Sequence, residues 1–292
     1  MRLVRYELRE GGASGVGSVS GAGNVVRALA MAGGEPVSDM WSVIDTALDG
    51  LQVMEVGGDI PIESVRLKSP FSYLRNDIIC VGKNYKAHSV EFSESGFDKM
   101  PVSDVEKPVF FSKAATSIIG TDEVIAPHSD LTEMLDYEGE LAVIIGRTCR
   151  DVSVNDALSY VWGYTIVNDV TARDLQRERG QWYFGKSLDT FCPMGPVCIT
   201  SDALDPSDLM MLTYVNGEIR QRANTSEMIY NVPQLISHLS AGITLTPGQV
   251  IATGTPAGVG IGYQPPRFLR PNDEIVVEIG QIGSLRNVVG EH

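Results

Sequence analysis

The chain has 292 residues, 43% apolar and 21% charged, which fits one large folded domain or a large domain with a small one. Its formal charge of −14 excludes nucleic acid or an anionic membrane surface as the main partner, because both need surplus Lys and Arg. A small acidic substrate stays open, since a local cluster of cations can hold one inside an acidic protein.

The opening "MRLVRYELRE" scatters charge through its length, so no secretory signal is expected, and no window reaches the ~20 apolar residues of a bilayer span. From residue 1 to about 70 the chain is rich in glycine and poor in chemistry. "RLVRYEL" reads as a strand and "GGASGVGSVSGAG" as turns or a loop. "NVVRALAMAGG" and "SDMWSVIDTALDGL" read as short helices. Gly15 and Gly17 form no dinucleotide fingerprint, because the next glycine, Gly21, is misplaced and no helix opens there.

From about residue 71 onward come short Val/Ile/Thr strands: "DIICVG", "VFFSKA", "ELAVIIG", "VWGYTIVND", "PVCIT", "LMMLTYVNG", "GQVIATGT" and "DEIVVEIG". Turn signals separate them, among them Asn216-Gly217, a hairpin cue. The pattern favours a mostly antiparallel or mixed β core with a few edge helices. Cys80, Cys149, Cys192 and Cys198 form no C-x-x-C pair and read as reduced core residues of a cytoplasmic protein.

One segment carries charge where a core strand should not. "LDYEGELAVIIG" runs from three acids into a buried-looking strand, and alternation puts Asp136, Glu138 and Glu140 on one face. Buried carboxylates must be paired or bind a cation. Further on, "YTIVNDVTARDLQRERGQW" reads as a strand, Tyr164 to Val167, and then a helix opening at Asp169, with Asp169, Arg173 and Gln176 in one stripe. Hard oxygen donors with open positions suit Mg²⁺, Mn²⁺ or Ca²⁺ better than zinc.

"DYEGELAVIIG", "NDVTARDLQ", "GQWYFGKSLDTFCPMGP" and "TGTPAGVG", in this order, resemble the fumarylacetoacetate hydrolase superfamily over roughly residues 80–262, on its acylpyruvase and 2-hydroxyhepta-2,4-diene-1,7-dioate isomerase-like side. The resemblance implies an α+β, mostly β fold. A mixed-sheet, β-roll-like catalytic domain would cover 71–292; residues 1–70 carry no comparable match and read, from their own pattern, as a small N-terminal α/β domain. The resemblance also implies a homodimer and a small 2-oxo acid substrate. The metal ligands would be Glu138, Glu140 and Asp169, and the substrate-facing groups Arg173, Gln176, Lys186 and Thr255.

The upstream "CVGKNYKAHSVEF" places His88 and Glu91 where many members carry a water-activating dyad on a lid. On a helix, residues three apart meet, and a carboxylate orients an imidazole and raises its basicity. Lys186, near a metal and an apolar wall, suits stabilisation of an oxyanion or enolate, with a salt bridge to Asp189 as the structural alternative. His128, His238 and His292 have no evident partner and read as structural; Asp136 reads as support behind the ligands.

The expected reaction is hydrolysis of a C–C bond in a 2,4-diketo acid, of acylpyruvate or fumarylpyruvate type. The metal would act as Lewis acid and sink for enolate charge. Decarboxylation or tautomerisation of oxaloacetate, or isomerisation of a 2-hydroxydienedioate, are the alternatives on the same site.

Overall fold

A computed structural model of the protein describes residues 1–21, 23–48, 52–96 and 107–291. The fold is α+β and mostly β, with mixed sheets and short peripheral helices. No helix among the described residues is long and apolar enough to cross a membrane.

Eleven strands form the larger sheet. Its path runs from the edge strand Val53–Pro61 through Val25–Met31, Ser14–Val19 and Arg2–Leu8 to Val197–Thr200. It continues through Val161–Asn168, Gly139–Ile145, Val250–Ala252 and Ile78–Gly82 to Val109–Lys113; Val65–Lys68 pairs with the first strand off this path. Residues 1–70 thus extend the sheet that carries the acids. Neighbours are antiparallel except Val250–Ala252 with Ile78–Gly82. A five-stranded sheet packs against this one. In it Asn216 (φ 51°) and Gly217 (φ 77°) close the expected hairpin between Met210–Val215 and Glu218–Asn224.

The apolar run "LAVII" is explained by burial on both faces of its strand. Leu141, Val143 and Ile145 face a core that includes Val277 and Leu285 of the smaller sheet. Ala142 and Ile144 face a second core, closed by Met40, Trp41 and Ile44 of helix α1 (Met40–Leu48). A strand covered on both sides cannot alternate apolar with polar.

Two expectations for the N-terminal segment fail. "NVVRALAMAGG" is a strand, Val25–Met31, because flanking strands on both sides offer ladder hydrogen bonds that override weak helix propensity. "GGASGVGSVSGAG" is largely the strand Ser14–Val19. Gly17 serves close strand approach: a Cβ there would lie 2.4 Å from Val26 Cγ1.

Candidate metal centre and active-site cleft

The acids meet through strand register. Gly139–Ile145 and Val161–Asn168 pair with Gly139 opposite Asn168, and the Asp169 N–H donates to the Glu138 carbonyl at 2.8 Å. That ladder sets Asp169 beside Glu138 at the mouth of the pair, while Glu140 follows two residues along on Glu138's side. One oxygen from each of the three lies within 4.8 Å of the others, and all three side chains are buried. Sequence reasoning placed these three ligand candidates together, and the structure does bring them together.

The chain between strand and helix differs from expectation. Thr171–Ala172 forms a short strand against Leu135–Asp136, and α2 and α3 span Lys86–Glu94 and Arg173–Glu178. Asp169 is therefore outside the helix, because its N–H serves the Glu138 carbonyl and the Arg173 N–H serves Met134. Arg173 and Gln176 remain neighbours, with Nη1 to Oε1 at 3.2 Å. Asp136 does not join the trio. The strand breaks after it, and its carboxylate accepts from Arg173 Nε (2.8 Å) and from the Gly260 and Ile261 N–H groups (2.7 and 3.1 Å).

Cations hold part of this charge. Lys186 Nζ, at the end of α4 (Tyr183–Lys186), lies 2.8 Å from both Glu138 Oε2 and Asp169 Oδ2. Arg173 Nη1 is 2.7 Å from Glu138 Oε1. The structural alternative for Lys186, a bridge to Asp189, is not what forms. Lys113 was missed by sequence reasoning. It ends the strand Val109–Lys113, is fully buried, and donates to Asp169 Oδ1 (2.6 Å), the Val170 carbonyl (3.0 Å) and the Lys186 carbonyl. Its only signal was a lysine closing an apolar strand.

The electrostatics divide the three acids. Burial opposes ionisation of Glu138, but Lys186 and Arg173 outweigh it and hold its carboxyl at about 2. Among the described residues, the Glu140 carboxylate accepts only the Gly254 N–H (2.7 Å). Burial, then the charges of Asp169 and Glu138, push its carboxyl well above the usual carboxylate range. Burial likewise works against the Lys186 ammonium, yet Asp169 and Glu138 raise it overall. A divalent cation fits this donor set: three hard oxygens converge, and among the described residues no salt bridge reaches Glu140 as Lys186 reaches Glu138 and Asp169.

Of the three acids, Glu138 lines a solvent-open cleft with about 310 Å³ of empty space. His88 and Glu91 lie three apart on α2, with Nδ1 to Oε2 at 3.2 Å, as the H-x-x-E spacing predicts. Glu91 also accepts the Gly258 N–H (2.9 Å), which ties α2 to the glycine-rich loop, and Phe92 packs there on Val259 and Ile261. His88, Arg173, Gln176, Lys186 and Thr255 all line the cleft. Thr255 Oγ1 bonds the Gly139 carbonyl (3.0 Å) and accepts from Gln221 Nε2 (2.7 Å). Phe111 and Trp182 form an aromatic wall, rings 5.2 Å apart. Of the other histidines, His128 Nε2 lies 3.0 Å from the Asp189 carbonyl, His238 packs on Tyr230, and His292 lies outside the described residues. The cysteines are free and buried.

Comparison with known proteins identifies the family. Residues 77–290 match the model of the fumarylacetoacetate (FAA) hydrolase C-terminal family. The oxaloacetate tautomerase YisK of Bacillus subtilis is 46% identical over 231 residues, 78% of this chain and 74% of that one. A fumarylacetoacetate hydrolase from Exiguobacterium antarcticum superposes with a TM-score of 0.82 at 40% identity over the whole of both chains. A 2-hydroxyhepta-2,4-diene-1,7-dioate isomerase from Mycobacterium marinum gives 0.77 at 35%, covering 99% of this chain and 98% of that one. With its buried carboxylate trio and matching family model, the chain belongs to the fumarylacetoacetate hydrolase family of enzymes.

Proposed function

We propose that the protein enolises a small 2-oxo acid, with keto–enol tautomerisation of oxaloacetate as the reaction. The observation that carries this is His88, paired with Glu91, lining one narrow cleft with Arg173, Lys186 and Glu138, the last a member of the buried three-acid cluster. Two of the named relatives, a tautomerase and an isomerase, support moving a proton, while the third is named a hydrolase.

Glu138, Glu140 and Asp169 would hold Mg²⁺ or Mn²⁺, with Ca²⁺ compatible with the same oxygens. Once bound, the ion supplies Lewis-acid polarisation of the 2-oxo carboxylate end. Arg173 Nη2 is buried without a hydrogen-bond partner among the described residues and suits the substrate carboxylate, with Gln176 and Thr255 lining the same cleft. Glu91 occupies the Nδ1 edge of His88, which leaves Nε2 to take the C3 proton. As C3–H breaks, C2=C3 forms and the electron pair moves to the keto oxygen. Lys186 stabilises charge there, and a proton on that oxygen completes the enol.

The intact His88–Glu91 pair also favours a second reading, water activation for hydrolysis of a 2,4-diketo acid. Isomerisation of a 2-hydroxydienedioate uses the same proton transfers. The test is turnover of oxaloacetate enol, an acylpyruvate, fumarylpyruvate and a 2-hydroxydienedioate with Mg²⁺ and Mn²⁺. Hydrolysis of an acylpyruvate with oxaloacetate inert would replace the tautomerase reading.

A further inference from the structure

We infer that Asp136 is a positioning residue for the proton transfer: its one buried carboxylate fixes Arg173 and, through the segment 258–262, the His88–Glu91 pair. The inference rests on the proposed enolisation and adds to it what holds the base in register with the bound acid.

Asp136 is 0% exposed, and both of its oxygens are in use. Oδ1 accepts the Tyr137 N–H (2.9 Å) and the Gly260 N–H (2.7 Å). Oδ2 accepts Arg173 Nε (2.8 Å) and the Ile261 N–H (3.1 Å). A carboxylate has about four lone-pair sites, so these four donors leave none for a metal or a substrate. What such a carboxylate can do is hold its donors in place. On one side it holds Arg173. With Nε on Asp136 and Nη1 on Glu138, Nη2 is the nitrogen without a partner among the described residues.

On the other side it holds the segment that carries Glu91. Gly260–Gly262 is one turn of 3-10 helix, and its first two N–H groups both end on Asp136. The contacts are close enough to demand glycine. A Cβ on Gly260 would lie 2.6 Å from Asp136 Oδ1, and one on Gly262 would lie 2.0 Å from Glu91 Oε1. Val259 and Ile261 pack on Phe92 of α2. The Gly258 N–H donates to Glu91 Oε1 (2.9 Å), and the Gly258 carbonyl accepts the Tyr137 O–H (2.7 Å). Glu91 in turn meets His88 Nδ1 at 3.2 Å. Asp136 and Tyr137 thus grip a segment that itself grips Glu91. The arginine for the substrate carboxylate and the base for the C3 proton share one anchor.

Asp136→Asn keeps the side chain's shape but replaces one oxygen by an NH₂ donor. Whichever way the amide faces, the Gly260 or the Ile261 N–H loses its acceptor. The kcat for oxaloacetate tautomerisation, with Mg²⁺ saturating, should fall about 10–100-fold, the range for losing one charge-assisted hydrogen bond. The metal-induced Tm rise should persist, since the three ligand candidates are untouched. An unchanged kcat, or loss of that rise, overturns the inference. In a Glu91→Gln background the same substitution should lower kcat hardly further, because residues acting through one network are not additive. A residue that only stabilises the fold would multiply its cost onto that of Glu91→Gln, and this too overturns the inference. If Asp136→Asn does not fold, Tyr137→Phe removes one bond to the same segment and should show the same non-additivity on a fall of about 2–10-fold. Amide hydrogen exchange of the Mg²⁺-loaded wild type and variant reads the anchor without turnover. It should quicken in both 258–262 and 86–94, with 139–145 unchanged; quickening in 258–262 alone overturns the inference. If the wild type enolises no 2-oxo acid, the reaction reading fails, and exchange at 86–94 still decides whether Asp136 positions the pair.

Discussion

Replacing Glu140 by Gln separates the metal from the fold. The amide oxygen can still accept the Gly254 N–H that now reaches Glu140 at 2.7 Å. The substitution removes a charge that burial and the neighbouring Asp169 and Glu138 disfavour, so the metal-free variant should melt at or above the metal-free wild type. With metal the order reverses. An ion at 100 times its Kd stabilises the folded state by about 2.7 kcal/mol. For 292 residues the unfolding entropy is about 0.6 kcal/mol/K, so the wild-type Tm should rise by about 4 °C. The variant should show almost no rise at the same Mg²⁺ or Mn²⁺ concentration. The assay is thermal unfolding after EDTA treatment, followed by titration with each ion. A variant that keeps the full metal-dependent rise refutes Glu140 as a ligand. A metal-free variant that melts several degrees below wild type refutes the charge argument.

Metal affinity should rise with pH, because the Glu140 carboxyl, raised in the metal-free fold, must lose its proton to bind; calorimetry in buffers of different ionisation heat should show proton release. The same raised carboxyl contributes stability below its ordinary 4.5 that is lost as pH rises, whereas Glu138, lowered to about 2, contributes stability above 4.5 that is lost as pH falls toward 2, and metal-free unfolding against pH checks both signs. Lys113→Met breaks a buried pair from one side and should cost about 3–5 kcal/mol, a Tm drop of about 5–8 °C, smaller with Mg²⁺ present, in thermal scans. His88→Ala should slow C3 proton exchange by about 10²–10⁴-fold with the metal-induced Tm rise retained, and loss of that rise would make His88 structural. Lys186→Met should lower kcat more than it raises KM; a raised KM alone would reduce Lys186 to a binding group.

Several parts of this site were legible in the chain because they depend on neighbours a few residues apart. Strand alternation put Glu138 and Glu140 on one side, helical spacing put His88 against Glu91, and Asn216-Gly217 specified a hairpin. The family motifs named Asp169, Arg173 and Lys186 as members of one site. Local pattern also misled. Residues 25–31 carry a mixed apolar pattern, and only the partner strands Ser14–Val19 and Val53–Pro61 decide that they extend rather than coil.

What tertiary structure decided are the contacts between segments far apart in sequence. Asp169 reaches Glu138 through a ladder hydrogen bond rather than as the first residue of a helix. Lys113 arrives from the edge strand Val109–Lys113, and Asn84 bonds residues 230 and 253. Asp136, on the same nominal strand face as its two neighbours, is diverted to Arg173 where the strand breaks. Sequence periodicity fixes which way a side chain points from its own backbone, whereas the partner it meets depends on sheet order and register, which only the folded chain supplies.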